Sequence, residues 1–215
     1  MKTPFLLLAL LAAALASAHA QSDRKTEDPE AAYTRTITER ADKIVATLSL
    51  ADSAKARRVR DLIAGQYRAL RAIHDPRDAR IQAAKAKAKE DQPAAEAEIK
   101  AAQDEAKTRL DKLHGEYLAQ LSAELSPEQV NQVKDGMTYG VLQVTFNAYS
   151  KMFPTLTDPQ KAQIRSWLTE AREIAMDGST ANEKHAVFGK YKGRINNYLS
   201  AAGYDLKEGE ENLRK

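Results

Sequence analysis

Cysteine is absent from all 215 residues. That removes disulfides, thiol nucleophiles and zinc–thiolate sites, and leaves packing as the source of stability even in an oxidising compartment. Neither charge sign dominates. The formal charge is +3, and Lys2 supplies one of those cations, so the chain without its first twenty residues carries +2. Charged residues of both signs make up 29% of the chain, which describes a mixed solvated surface and not the footprint of a nucleic-acid binder. Beyond the first twenty residues no apolar run is long enough to cross a bilayer. A glycine-rich phosphate loop, a Gly-x-Ser-x-Gly elbow and a His-Glu-x-x-His helix are all missing. No cofactor is indicated. His74, His114 and His185 show no metal-helix spacing, and the His74-Asp75-Pro76-Arg77-Asp78 set reads as capping and solvation, so no metal site is expected.

What is present starts with an export signal. Lys2 is followed by an apolar run from Phe5 to Ala16 and by the small-x-small pattern Ala18-His19-Ala20. Residues 1–20 therefore read as a signal peptide, with the mature chain starting at Gln21 and destined for a periplasm or the exterior. Length 195 then allows one domain with a real core.

The mature chain reads as helical throughout. Ile37, Ala41, Ile44, Val45 and Leu48 recur at spacings of three and four. A turn at residues 48–52 follows, with Ser49 the expected cap of the next helix. That helix carries Val59, Leu62, Ile63, Leu70 and Ile73, with Arg57, Arg58, Arg60, Arg68 and Arg71 on a solvated face beside Asp52 and Asp61. Pro76 is expected to kink or break it. Asp91-Gln92-Pro93 is a strong turn signal. After it Ile99, Ala102, Ala106, Leu110, Leu113, Tyr117 and Leu121 form a narrow coiled-coil stripe. Residues 51–124 thus read as an antiparallel helical hairpin with a thinly packed tip. Ser126-Pro127-Glu128-Gln129 and Thr157-Asp158-Pro159-Gln160 are helix starts of the capping-box kind. Residues 138–154 fit strand or helix; helix is chosen because no second strand candidate exists. Helices are expected over 160–176 and 181–201, and a disordered charged tail over 207–215. The fold class is all-α: a helical bundle with a long antiparallel hairpin, in one domain over 21–215, with 125–206 an aromatic-rich C-terminal bundle.

Residues 135–206 hold the only Trp, three of the four Phe and most of the Tyr. There Asp135, Tyr139, Trp167, His185, Lys192, Arg194, Asn196, Asn197 and Tyr204 combine flat rings with amides and charges. That chemistry covers a sugar ring's apolar face and serves its hydroxyls. Core packing is the competing account of Trp167, Tyr191 and Tyr198, which have helical spacing. Gly189 and Gly193, one turn apart on a single flank, imply close approach by another element, so Gly193→Ala is expected to destabilise.

The segments VKDGMTYGV (133–141), LTDPQKAQIRSWLTEARE (156–173) and KHAVFGKYKGRINNYLSAAGYDL (184–206) resemble a bacterial family known as domain of unknown function 3826. The resemblance runs over nearly the whole mature chain. It implies an exported all-helical protein that binds sugar, and it transfers no catalytic residue. The twice-occurring Leu-Ser/Thr-x-x-Gln signature also resembles periplasmic stress chaperones of the Spy/CpxP type. This chain departs from those in its length, its C-terminal aromatics and its lower basicity. Three functions stand: an exported non-catalytic accessory protein binding carbohydrate or a similar polar ligand; a periplasmic helical chaperone or scaffold; and an unrecognised hydrolase.

Overall fold

A computed structural model describes residues 28–214. The expected signal peptide and its cleavage point lie outside them. Among the described residues there are eight helices and no strand, which bears out the all-α expectation: α1 Pro29–Ala46, α2 Ser53–Lys87, α3 Gln92–Glu124, α4 Pro127–Met137, α5 Val141–Met152, α6 Asp158–Ala175, α7 Ala181–Ala201 and α8 Leu206–Arg214. By its contacts the chain divides into two units, up to Thr36 and from Ile37 onward. Of the first, the described part is the opening of α1, where Ala32 N donates to Asp28 O and Thr36 Oγ1 to Ala32 O.

In the second unit the helix starts follow local chemistry. Ser126 with Gln129 and Thr157 with Gln160 form reciprocal capping boxes, and Thr180 with Glu183 forms a third. Each cap satisfies backbone donors that no helix can pair internally and contributes about 1 kcal/mol. Leu125 and Val130, flanking the first box, are both buried, as a hydrophobic staple requires. α2 is capped by Asp52, whose side chain accepts from Ala54 N; Ser49, the expected cap, instead sits in the turn at φ 52°.

The hairpin is α2 against α3, joined at residues 88–91 with Asp91 capping α3. At 35 residues α2 is about 52 Å long. Ala84, Ala95, Ala102 and Ala106 are the buried contacts of its outer half, small side chains that let the helices approach but bury little area. Arg58 pairs with Glu124 near the base, and Arg80 with Glu98 and Glu105 further out. Of the arginine face, Arg58, Arg60 with Asp61 and Arg71 with Asp75 are engaged by nearby carboxylates, in keeping with its reading as a solvated face.

Pro76 does not break α2. A proline removes the donor that would pair with the carbonyl four residues back. That carbonyl, Ala72 O, accepts from Arg109 Nη2 of α3 at 3.4 Å. The compensation comes from across the hairpin, so no local reading could anticipate it.

The C-terminal core is built by α5, α6, α7 and α8, with Leu142, Tyr149, Ile164, Leu168, Phe188, Ile195 and Leu199 buried together. The expected disordered tail is helix α8. Asp205 caps it by accepting from Lys207 N and Glu208 N, and Asn212 Nδ2 donates to Met152 O of α5. Gly209 is buried against Phe153, which fixes the helix in place.

The glycine expectation is overturned. A Cβ built on Gly189 or Gly193 meets nothing within 4 Å, and both residues are exposed. With no neighbour to clash, only helix propensity remains. Gly189→Ala and Gly193→Ala should each stabilise by about 0.5–1 kcal/mol, read as a raised denaturant midpoint at unchanged m-value. A lowered midpoint would show that something does pack there.

Candidate functional site

The nine residues expected to form a site are not gathered into one. Asp135, in the last turn of α4, accepts from Arg172 Nη1 at 2.8 Å, and Arg172 Nη2 donates to Asn131 at 2.6 Å. Arg172 is buried, so Asp135 serves as the counter-charge that ties α4 to α6. Tyr139 and His185 do meet, their rings stacked with centroids 5.8 Å apart. Trp167 packs edge-on to Tyr198 and is covered by the Arg194 guanidinium 4.5 Å from its ring centroid. Asn196 accepts from Tyr149 Oη, and Tyr204 Oη donates to Thr155 O. Lys192 and Asn197 are exposed on α7. Trp167 therefore gives its face to Arg194, and Asn196 and Tyr204 hold helices together.

A cavity of about 800 Å³ lies elsewhere, between the hairpin and the α6–α7 corner. Ala106 and Leu110 of α3, Ile174 of α6, and Ala186 and Val187 of α7 make its apolar wall. Ile174 is 51% exposed and faces this cleft. Around the wall stand Arg77, Lys107, Asp111, His114, Glu173, Asp177, Glu183 and Lys190. No Phe, Tyr or Trp lines it among the described residues. An open cleft of this size with aliphatic walls and a few polar groups suits a small organic ligand.

Asp177, just past the end of α6, is the knot of the cleft. His114 Nδ1 of α3 lies 2.8 Å from its Oδ2, and His74 Nε2 of α2 lies 2.7 Å from its backbone oxygen. Because a carbonyl only accepts, His74 Nε2 is the donor. The hydrogen bond to Asp177 raises the His114 pKa above its ordinary value; desolvation opposes this, and the charges of Asp177 and Glu173 add to it. Lys134 of α4 closes the group with a 2.6 Å bond to Glu173. His74 Nδ1 and Asp177 Oδ1 are buried without a hydrogen-bond partner, each at a typical cost of about 1–3 kcal/mol. At the other end of the cleft Arg77 of α2 bonds Glu183 of α7 at 2.8 Å. Burial opposes the Glu183 charge, but bonds from Ser179 and Arg77 hold its carboxyl down to about 2.

Sequence reasoning set aside His74 and His114 as lone histidines. One signal could have paired them: a hairpin turning at residues 88–91 places positions 74 and 114 within about two turns of each other on neighbouring helices. Asp177 was not among the sequence candidates.

A search of the curated proteins returns no match. A family profile matches residues 34–215, as the resemblance implied, and it assigns neither a ligand nor an activity. Neither comparison points to the helical stress chaperones. The chain belongs to the family described as "Protein of unknown function (DUF3826)".

Proposed function

We propose that the protein is an exported, non-catalytic accessory protein that binds a small polar ligand, carbohydrate being the leading class, in the cleft between the hairpin and α6–α7. The cleft itself carries the reading: aliphatic surface for the apolar face of a ring, with carboxylates and cations at its margin to accept from and donate to hydroxyls. The carbohydrate class rests on that chemistry and on the wording attached to the family resemblance, not on aromatic stacking.

Carboxylates line the cleft, but an acid–base pair is disfavoured. Asp111 pairs with Lys107, Glu173 with Lys134, Asp177 with His114 and Glu183 with Arg77. A general acid needs a carboxyl pushed up toward neutrality, and Glu183 is pushed the opposite way. A second reading, capture of an unfolded chain, draws on Ile174: a half-exposed isoleucine in an apolar wall would also hold a client's side chain.

The test is a glycan array on the chain from Gln21, run beside Ile174→Glu. The substituted side chain is exposed, so the fold should survive while a charge enters the apolar wall. Binding of at least one glycan, lost by about tenfold or more in the variant, is expected. No glycan bound, together with suppression of client aggregation that Ile174→Glu abolishes, would replace this reading with the chaperone one. Export is tested separately: N-terminal sequencing of secreted protein should begin at Gln21, and retention of the intact apolar run would contradict it.

A further inference from the structure

The two hairpin helices reach the C-terminal bundle through different kinds of bond at the two ends of the cleft. Arg77–Glu183 joins α2 to α7. Its carboxyl stays ionised down to about 2 and its guanidinium does not titrate, so that clamp is constant over the whole neutral range. His114–Asp177 joins α3 to the end of α6, and its donor is an imidazole. Elsewhere α2 and α3 pack far more on each other than on α6 or α7. A hairpin held on its α2 side by Arg77 and by the His74 bond to the Asp177 carbonyl, and tied on its α3 side by a titratable bond, can turn about α2 when that bond weakens.

We propose that His114 and Asp177 form a proton-operated latch that sets how closely the hairpin stands against α6 and α7, and hence access to the cleft. The proposal rests on the cleft being the ligand site. The groups that face the latch define its sign. From α6 come Asp177 and Glu173, the latter 3.7 Å from His114 Nε2. From α4 comes Lys134, engaged by Glu173. From α7, Lys184 faces Asp177, and from α2, His74 holds the Asp177 carbonyl. With a proton on both ring nitrogens, His114 sits as a cation between two carboxylates, and a charge-assisted bond is roughly twice as strong as a neutral one. When that proton leaves, Nδ1–H can still donate to the Asp177 carboxylate, but the ion-pair attraction to Asp177 and to Glu173 is lost. His114 has a raised folded-state pKa, so its contribution is complete below its ordinary value and is lost as pH rises through the raised one. The latch is closed in acid and loosened in alkali. The buried, unpartnered His74 Nδ1 and Asp177 Oδ1 fit such a device, because opening lets water reach both.

The absence of cysteine makes the test direct. Spin labels on Ala101→Cys of α3 and Ser200→Cys of α7, both exposed and outside the cleft lining, report the hairpin's position by pulsed electron resonance. Between about pH 6 and about pH 9 the distance distribution should shift to longer values. In His114→Gln, which cannot titrate, the shift should vanish while circular dichroism shows the same helix content. Asp177→Asn, which removes the charge from the other side, should lose it too. A distribution that does not move, or one that moves equally in both variants, overturns the latch. The cleft reading fails separately: its outcome is the glycan array with Ile174→Glu at fixed pH, which needs no hairpin motion.

Discussion

Unfolding free energy should climb by about 2–3 kcal/mol as pH is raised from about 8 to about 10, because one buried lysine loses its proton. Lys184 of α7 is 3% exposed, and its ammonium donates to Met137 O and Met176 O. These carbonyls close α4 and α6, where the helix dipole presents partial negative charge. Two carbonyls do not repay the loss of hydration, and desolvation lowers the pKa from 10.5 to about 8. The charged form is thus disfavoured in the folded state. Between the two pKa values the unfolded chain holds a proton that the folded chain has released, so stability rises with pH. Two neighbours shape the curve. His114 acts in the opposite sense, its support fading above its ordinary value as pH passes the raised one. Above about 10, desolvation of Tyr149 and Tyr191, both pushed up to about 12, turns the curve down again, since unfolded tyrosines ionise first. Urea titrations across this range should show the rise, and Lys184→Met should flatten it. A flat wild-type curve would mean that the ammonium is solvated and that the two carbonyl bonds are not its main partners.

Gly209→Ala should cost about 1–3 kcal/mol and release α8. A Cβ there would stand 2.5 Å from Phe153 Cζ and 2.6 Å from its Cε1. The Phe153 ring cannot swing aside freely: it is buried and wedged edge-on against Tyr204, centroids 5.1 Å apart. Either the ring leaves its place in the core or α8 lifts off α5, and the second needs fewer contacts to break. The variant should therefore lose thermal stability and become sensitive to proteolysis at Lys207. An unchanged melting temperature with α8 still protected would show that the contact tolerates a methyl group.

These two residues mark where sequence reading stops. The caps at Ser126 and Thr157 were legible because a capping box is closed within four residues and needs no distant partner. The hairpin was legible because Asp91-Gln92-Pro93 stops one helix and starts another by local chemistry alone. A break at Pro76 was one of the two outcomes expected and does not occur, because its missing bond is replaced by Arg109, 33 positions away. The tail was misjudged for a similar reason: its charged composition says nothing of Phe153, which Gly209 meets across the fold. Gly189 and Gly193 failed in the opposite direction, since the same residue type that admits a ring at 209 faces open space on α7. The site was least legible of all. Trp167 drew attention as part of a binding surface and packs edge to face on Tyr198, as the competing core-packing account has it. Leu110 looked like an ordinary position of the coiled-coil stripe, and what sets it and Ile174 apart is a gap between two helix pairs that no periodicity encodes.

The cleft is the central claim, and methyl-labelled nuclear magnetic resonance tests it at residue level. Isoleucine, leucine and valine methyls would be followed while a glycan bound on the array is titrated into the chain from Gln21. The account predicts that Ile174, Leu110 and Val187 shift together and saturate with one dissociation constant, while the indole of Trp167 does not move. Shifts centred on Trp167, Tyr198 and the α7 face around Arg194, with the Ile174 methyls unmoved, would contradict it and return the site to the aromatic surface.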